Sequence, residues 1–263
     1  MKVKLLHDLQ AQRFVFPDVF KEEDREKLKQ EFKYTITFLK TELYDEYVFL
    51  RDAGVWMLGN PPLFLSAKRF QEEHGKMLRR EMTRVFEKYL RERGIRVADG
   101  GVDGGFVVGD KNITIVSLHP DFLPIGIDAR FYSLNDHCDC IVSFLPDGKV
   151  FWNQSSMRSL ANYIAKYSFE EYAMLFYSEA SHLRRDLEEM DYTLIIFEDE
   201  DYVNSYLGCV ASGNLLCVNG KVILSDGRGK VVKLLEREGY DVIQVTKSWE
   251  GEGGVRCLSQ IMV

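Results

Sequence analysis

The chain has 263 residues, 46% of them hydrophobic and 29% charged, with six prolines; this ordinary balance excludes a low-complexity chain and supplies enough apolar side chain for a sizeable core. A formal net charge of −7 leaves no basic surplus for a nucleic-acid backbone, and no apolar run approaches the roughly 20 residues of a membrane helix. Five cysteines, an odd count with no apolar signal segment at the start, lead to the expectation of free thiols in a soluble, cytoplasmic protein without nucleic-acid or membrane partners.

In chain order, the first predicted element is a helix within residues 18–44. Leu28, Phe32, Ile36, Leu39 and Leu43 form its apolar stripe, and Glu22, Glu23 and Asp24 its acidic first turn. The hairpin "VWMLGNPPLFL" at 55–65 follows, then a helix over 66–93 with Phe70, Met77, Leu78, Met82, Val85, Phe86, Tyr89 and Leu90 on one face and Gly94 as its stop, then a strand at 95–98. A second hairpin, "FVVGDKNITIV", covers 106–116; the segment after it, "LHPDFLPIG", is too short and proline-broken for a helix. The third, "IVSFLPDGKVFW" at 141–152, is followed by helical material between 157 and 190. The fourth, "NLLCVNGKVIL" at 214–224, turns at Asn219-Gly220 and precedes a helix near 228–238 and a strand at 241–245. Hairpins of similar size predict a repeated strand–strand–helix–strand unit, with its helix lost in one copy and lengthened in another.

Chemically capable residues stand just before these hairpins: Arg51-Asp52 at the first, Asp103-Gly104-Gly105 at the second, His137-Cys138-Asp139 at the third. Cys257, after glycines at 251, 253 and 254, opens a final strand. Units set around one axis would bring these positions together, and a cysteine, a histidine and carboxylates can form an activated thiol site although far apart in sequence. Singly, an aspartate before a strand is usually a turn or cap residue. "HCDC" at 137–140 contains only potential zinc ligands. If extended, however, it turns His137 and Asp139 to one face and Cys138 and Cys140 to the other, so no metal is expected. Cys209 and Cys217 read as small buried hydrophobes, His7, His74 and His182 as structural, and His119 as a surface residue.

With these residues assembled, the chain resembles the guanidine-modifying enzymes of pentein fold: arginine and agmatine deiminases, dimethylargininases, arginine dihydrolases and amidinotransferases. The segments carrying the resemblance run in the family's order: "RDAGVW", "DGGFVVGD", "HCDCIVSFLPDGKV" and "GGVRCLSQ". It implies one catalytic domain over 1–263, an α/β propeller of five ββαβ units around a pseudo-fivefold axis, in which N- and C-terminal pieces complete one unit. It also implies Cys257 as nucleophile, His137 paired with Asp103 as acid and base, and Asp52 and Asp139 gripping the N–H groups of a guanidinium. Asp99, in "DGGV", stands as the alternative to Asp103, and the span from Asp103 to His137 is short for the family. Arg69 and Arg130 are candidate holders of a substrate carboxylate.

The implied reaction is hydrolysis of arginine or a related small cationic guanidino compound through a covalent thiouronium, with no cofactor and no metal. A homo-oligomer is left open. Amidino transfer shares the first half-reaction, and a non-catalytic binding module could carry the same fold. A cysteine protease is disfavoured because Cys257 is read as leading a strand rather than a helix.

Overall fold

Runs of β-branched and aromatic residues form short strands, and the strands associate in threes. The computed structural model describes residues 3–33, 35–40, 49–124, 126–134, 136–203, 214–225, 227–246 and 254–262; Leu43, Cys209, Gly251 and Gly253 lie outside them. In chain order the strands are β1 (Arg13–Pro17), β2 (Ile36–Leu39), β3 (Gly54–Met57), β4 (Leu63–Ser66), β5 (Val97–Asp99), β6 (Val107–Gly109), β7 (Thr114–Val116) and β8 (Arg130–Phe131). They continue with β9 (Val142–Phe144), β10 (Lys149–Asn153), β11 (Thr193–Phe197), β12 (Leu216–Val218), β13 (Lys221–Ser225), β14 (Val242–Val245) and β15 (Gln260–Met262).

Every sheet follows one rule: the central strand is antiparallel to one neighbour and parallel to the other. Four sheets use consecutive strands, β3-β4-β5, β6-β7-β8, β9-β10-β11 and β12-β13-β14. The fifth joins the two ends of the described chain, with β15 antiparallel to β1 and β1 parallel to β2. A parallel neighbour requires a crossover, and the crossovers account for the longer helices. They are Glu22–Phe32, the pair Lys68–Glu73 and Met77–Arg91, the pair Gln154–Tyr167 and Glu170–Glu189, and Gly229–Arg237. Among the described residues between β7 and β8 the only helical element is a 3-10 turn, Pro120–Phe122, so the lost helix and the lengthened one fall where the sequence predicts. Asn219 and Gly220 both have positive φ, 49° and 82°, as the tight hairpin turn demands.

Two predicted helices are corrected. The stripe over 18–44 is helical only to Phe32; Ile36 and Leu39 belong to β2, because "ITFL" pairs with β1 and gains sheet hydrogen bonds that a longer helix would forfeit. The helix over 66–93 is two helices separated at Gly75, which takes φ +68°. That break positions the N-terminal end of Met77–Arg91.

One core cluster packs beneath this helix, where Phe64 makes edge-to-face contacts with Trp56 and Phe86 at 5.1 and 5.4 Å. Trp56 also donates from Nε1 to the carbonyl of Ile261 at 2.7 Å, tying β15 to the first hairpin. Residues 3–8 link several units: Leu5 bridges Met57, Val3 bridges Ile127, and His7 Nε2 meets Thr114 Oγ1 at 2.8 Å. Among the described residues, no helix is long and apolar enough to cross a membrane.

Candidate active site

The strand that opens each hairpin is entered through a tight turn, and the turns hold the polar residues. Asp52 lies in the 3-10 turn Leu50–Ala53, Asp103 just before Gly104–Phe106, and His137 just before Cys138–Cys140. Cys257 is the third residue of the helical turn Val255–Leu258, before β15, rather than the first residue of a strand. Asn214, two residues before β12, is the equivalent position of the remaining unit. Two of the glycines dictated by close approach bear on these turns. A Cβ on Gly105 would fall 2.3 Å from His137 Nδ1, and one on Gly254 would fall 2.6 Å from Asn214 Cβ.

Asp52, Asp103 and His137, 85 residues apart at the extremes, each offer an atom within 4.8 Å of the others. Phe106 packs edge-on against the half-buried His137 ring at 4.4 Å. Asp99 is exposed at the end of β5, whereas Asp103 is fully buried. Its carboxylate accepts from Gln71 Nε2 at 2.9 Å, Lys76 Nζ at 2.7 Å and Arg79 at 3.3 Å. Arg79 also meets Asp52 Oδ2 at 2.9 Å, whereas buried Asp52 Oδ1 has no hydrogen-bond partner. Burial pushes the Asp52 carboxyl above its usual range, opposed by Arg79.

Three such donors have the composition of a cation site. Lys76 and Arg79 already sit on the carboxylates, however, so a divalent ion would meet two positive charges at contact distance. Sequence reasoning missed Gln71, Lys76 and Arg79. The only cue was Gly75, whose break in the helix lets Lys76 and Arg79 reach back toward Asp103.

Behind this cluster lies a buried ionic network. The Cys257 backbone N–H donates to Asn214 Oδ1 at 2.9 Å, and Asn214 Nδ2 donates to Asp139 Oδ2 at 2.9 Å. Arg256 reaches the same Asp139 oxygen at 2.7 Å and Asp8 Oδ2 at 2.6 Å. Arg51 turns inward to Asp8 Oδ1 at 2.8 Å and to Ser259 Oγ at 3.0 Å. Burial alone would raise the Asp8 carboxyl, but the guanidiniums of Arg256 and Arg51 hold it down to about 2. For Cys257, burial acts first and the carboxylates of Asp139 and Asp52 add to it, pushing the thiol well up. The resting group is a thiol within the field of both aspartates.

His137 and Asp139 therefore face different partners, contrary to the extended reading of "HCDC". The segment is a 3-10 turn, in which alternation of side chains does not apply. His137 joins Asp52 and Asp103, while Asp139 is fully buried against Arg256 and Asn214. Cys138 and Cys140 are buried thiols, as is Cys217, which lies 3.3 Å from the carbonyl of Phe144.

Arg69 and Arg130 are not drawn into this cluster. Arg69 is largely exposed and pairs with Glu73 at 2.8 Å; Arg130 pairs with Asp186 at 2.9 Å and lines a separate cavity of about 230 Å³. His7 is buried, and burial lowers its pKa to about 4, which keeps the ring neutral against Thr114.

No protein-family model matches the sequence, and no curated protein matches it. Solved structures do match in fold. The apo form of ArgZ, an arginine dihydrolase from the ornithine-ammonia cycle in cyanobacteria, superposes with TM-score 0.58 at 16% identity over 99% of this chain. The chain spans 39% of that protein's length. A variant of the ArgZ N-terminal domain covalently bound to a reaction intermediate gives TM-score 0.59 at 16% identity, covering 95% of this chain and 97% of that one. Dimethylarginine dimethylaminohydrolase, as an adduct with S-methyl-L-thiocitrulline, gives TM-score 0.58 at 15% identity, covering 96% of this chain and 100% of that one. The structural neighbours are thus enzymes of the pentein superfamily, and the likeness is one of fold.

Proposed function

We propose that the chain is a single catalytic domain, its five sheets set about a pseudo-fivefold axis, that hydrolyses the guanidinium group of arginine or a related small guanidino compound. The observation that carries this reading is Arg79. A guanidinium already lies on Asp52 and Asp103, two members of the group that His137 completes, and Asp52 Oδ1 beside it is unpartnered. The carboxylate pair is therefore suited to a planar cation with N–H groups on its edges. Neighbours in fold include an arginine dihydrolase and a dimethylarginine hydrolase, one of them captured with a covalent intermediate.

In this mechanism the substrate guanidinium displaces Arg79 and donates to Asp52. Its positive charge offsets the two carboxylates that disfavour ionisation of Cys257, so the thiol gives its proton to His137 and becomes thiolate when substrate is present. The sulfur adds to the guanidinium carbon, and His137 protonates the departing nitrogen. That leaves a thiouronium on Cys257. His137 then takes a proton from water, whose oxygen attacks the same carbon, expels the thiolate and yields the ureido product. Asp139, through Asn214 and Arg256, acts behind the nucleophile by orienting its turn. The displaced Arg79, with Lys76 beside it, is a cation available to a carboxylate at the substrate's far end.

The test is incubation of the purified protein with arginine, agmatine and methylated arginines, with assay of ureido product and ammonia. Turnover that is lost in Cys257→Ser is expected. Product formed only when an amine acceptor is added would indicate amidino transfer. A second reading, a non-catalytic binding module, is favoured by the ion pairs that already satisfy Asp103 and Asp139. Guanidino compounds that bind without being consumed would select it.

A further inference from the structure

Of nine large hydrophobic side chains exposed among the described residues, seven fall within residues 163–177, where the helices Gln154–Tyr167 and Glu170–Glu189 meet. These helices are the lengthened crossover between β10 and β11. Their inner faces are anchored by Leu160, Phe176, Ala180 and Leu183 in the core. Over 172–177 the second helix reads "YAMLFY", apolar on every side, while only Ala173 and Phe176 turn inward. A helix that is apolar all round is one covered on all sides.

We propose that the tip of this helical hairpin is the interface of a twofold homodimer. Tyr167, Phe169, Tyr172, Met174, Leu175 and Tyr177 are between 36% and 71% exposed. At the area such side chains can bury, they present on the order of 600 Å² of apolar surface per copy. Two copies then reach the lower bound of about 1,200 Å² for a specific interface before any polar rim is added. A tyrosine-rich, charge-poor centre is also the composition of such interfaces.

The rim selects the occupant. Lys166 closes the first helix, while Glu170 and Glu171 open the second; all three are exposed. A twofold axis through the turn at 168–169 sets each copy's lysine against the other copy's glutamates, so the patch complements itself. One lysine beside two glutamates is the wrong sign for an anionic membrane, whose surface helices carry a cationic polar face.

Sedimentation velocity of the intact chain across micromolar concentrations should reveal a monomer–dimer equilibrium. Tyr172→Glu and Leu175→Glu should give monomers with unchanged circular dichroism. Lys166→Glu and the double variant Glu170→Lys, Glu171→Lys should each weaken self-association by about tenfold or more, whereas their mixture should restore a dimer by pairing opposite rims. A wild-type chain that stays monomeric overturns the proposal, as does a mixture that associates no better than its components. Monomeric protein binding to phosphatidylcholine–phosphatidylserine vesicles would likewise overturn it in favour of a lipid occupant.

Discussion

At the scale of single residues, the cluster is a contest for carboxylate oxygens. Arg79 serves Asp52 and Asp103 together, and its side chain is about a quarter exposed. Arg79→Ala therefore strands the buried Asp52 carboxylate, while Asp103 keeps Lys76 and Gln71; the cost is about 1–3 kcal/mol, below the full value for a buried pair because solvent screens the arginine. Methylguanidinium at millimolar concentration should restore part of the lost melting temperature in this variant and raise that of the wild type less, because there it must displace Arg79; no response in either protein would contradict the guanidinium-binding role of the pair. Gly105 is a second pressure point, since its missing Cβ is the space His137 occupies. Gly105→Ala should displace the ring and lower kcat about 10–100-fold while near-ultraviolet circular dichroism stays native. Wild-type kcat in that variant would show that the ring is placed by something else.

At the scale of elements, the helix Met77–Arg91 has two functions that its sequence pattern does not separate. Its apolar face packs Met82, Phe86 and Leu90 into the core against Phe64 and Trp56, while its first turn carries Arg79 to the aspartates. Phe86 is fully buried, so Phe86→Ala should cost about 3–5 kcal/mol, read as a lower urea midpoint. A loss below about 1 kcal/mol would mean that the site collapses around the gap. The element that sequence periodicity reads least well is 18–44. There Ile36 and Leu39 keep helical spacing with Leu28 and Phe32, yet pair as strand β2 with β1. Spacing alone cannot distinguish these outcomes, because the partner strand lies some twenty residues upstream and β1 itself was unread.

At the scale of the whole molecule, stability rests on a buried ionic hub joining distant segments. Asp8 neutralises both Arg51 and Arg256, and Arg256 continues to Asp139, so the N-terminal segment, the first hairpin's mouth and the Cys257 turn share one charge balance. Next to it His7 is buried. Burial lowers its pKa from 6.5 to about 4, and nearby Arg256 and Arg51 act in the same direction against Asp8 and Asp110. The unfolded chain therefore binds this proton first. Stability should be fully present above pH 6.5 and fall by about 3 kcal/mol as pH drops to 4. Asp8, held near 2 against an ordinary 3.8, removes more as pH falls from 3.8 toward 2. Urea midpoints measured against pH should show this slope, and His7→Gln should flatten it between pH 6.5 and 4. An unchanged slope would assign it to other groups.

The repeat, the absent and doubled helices, and the polar residues at the hairpin mouths were legible in the sequence. Hairpins have short-range signatures, and chemically unusual residues stand out wherever they occur: Asp52, Asp103, His137 and Cys257 were singled out in this way. Tertiary structure alone decided what each of them touches. Asn214 looks like the start of an ordinary strand until its amide is seen between Cys257 and Asp139, and Arg79 looks like a surface charge until Gly75 breaks the helix before it. The deciding pairs lie far apart in sequence, Arg256 with Asp8 across 248 positions and Arg256 with Asp139 across 117. Local pattern carries no information about such pairs, because ion pairing and burial depend on which segments the packed sheets bring together.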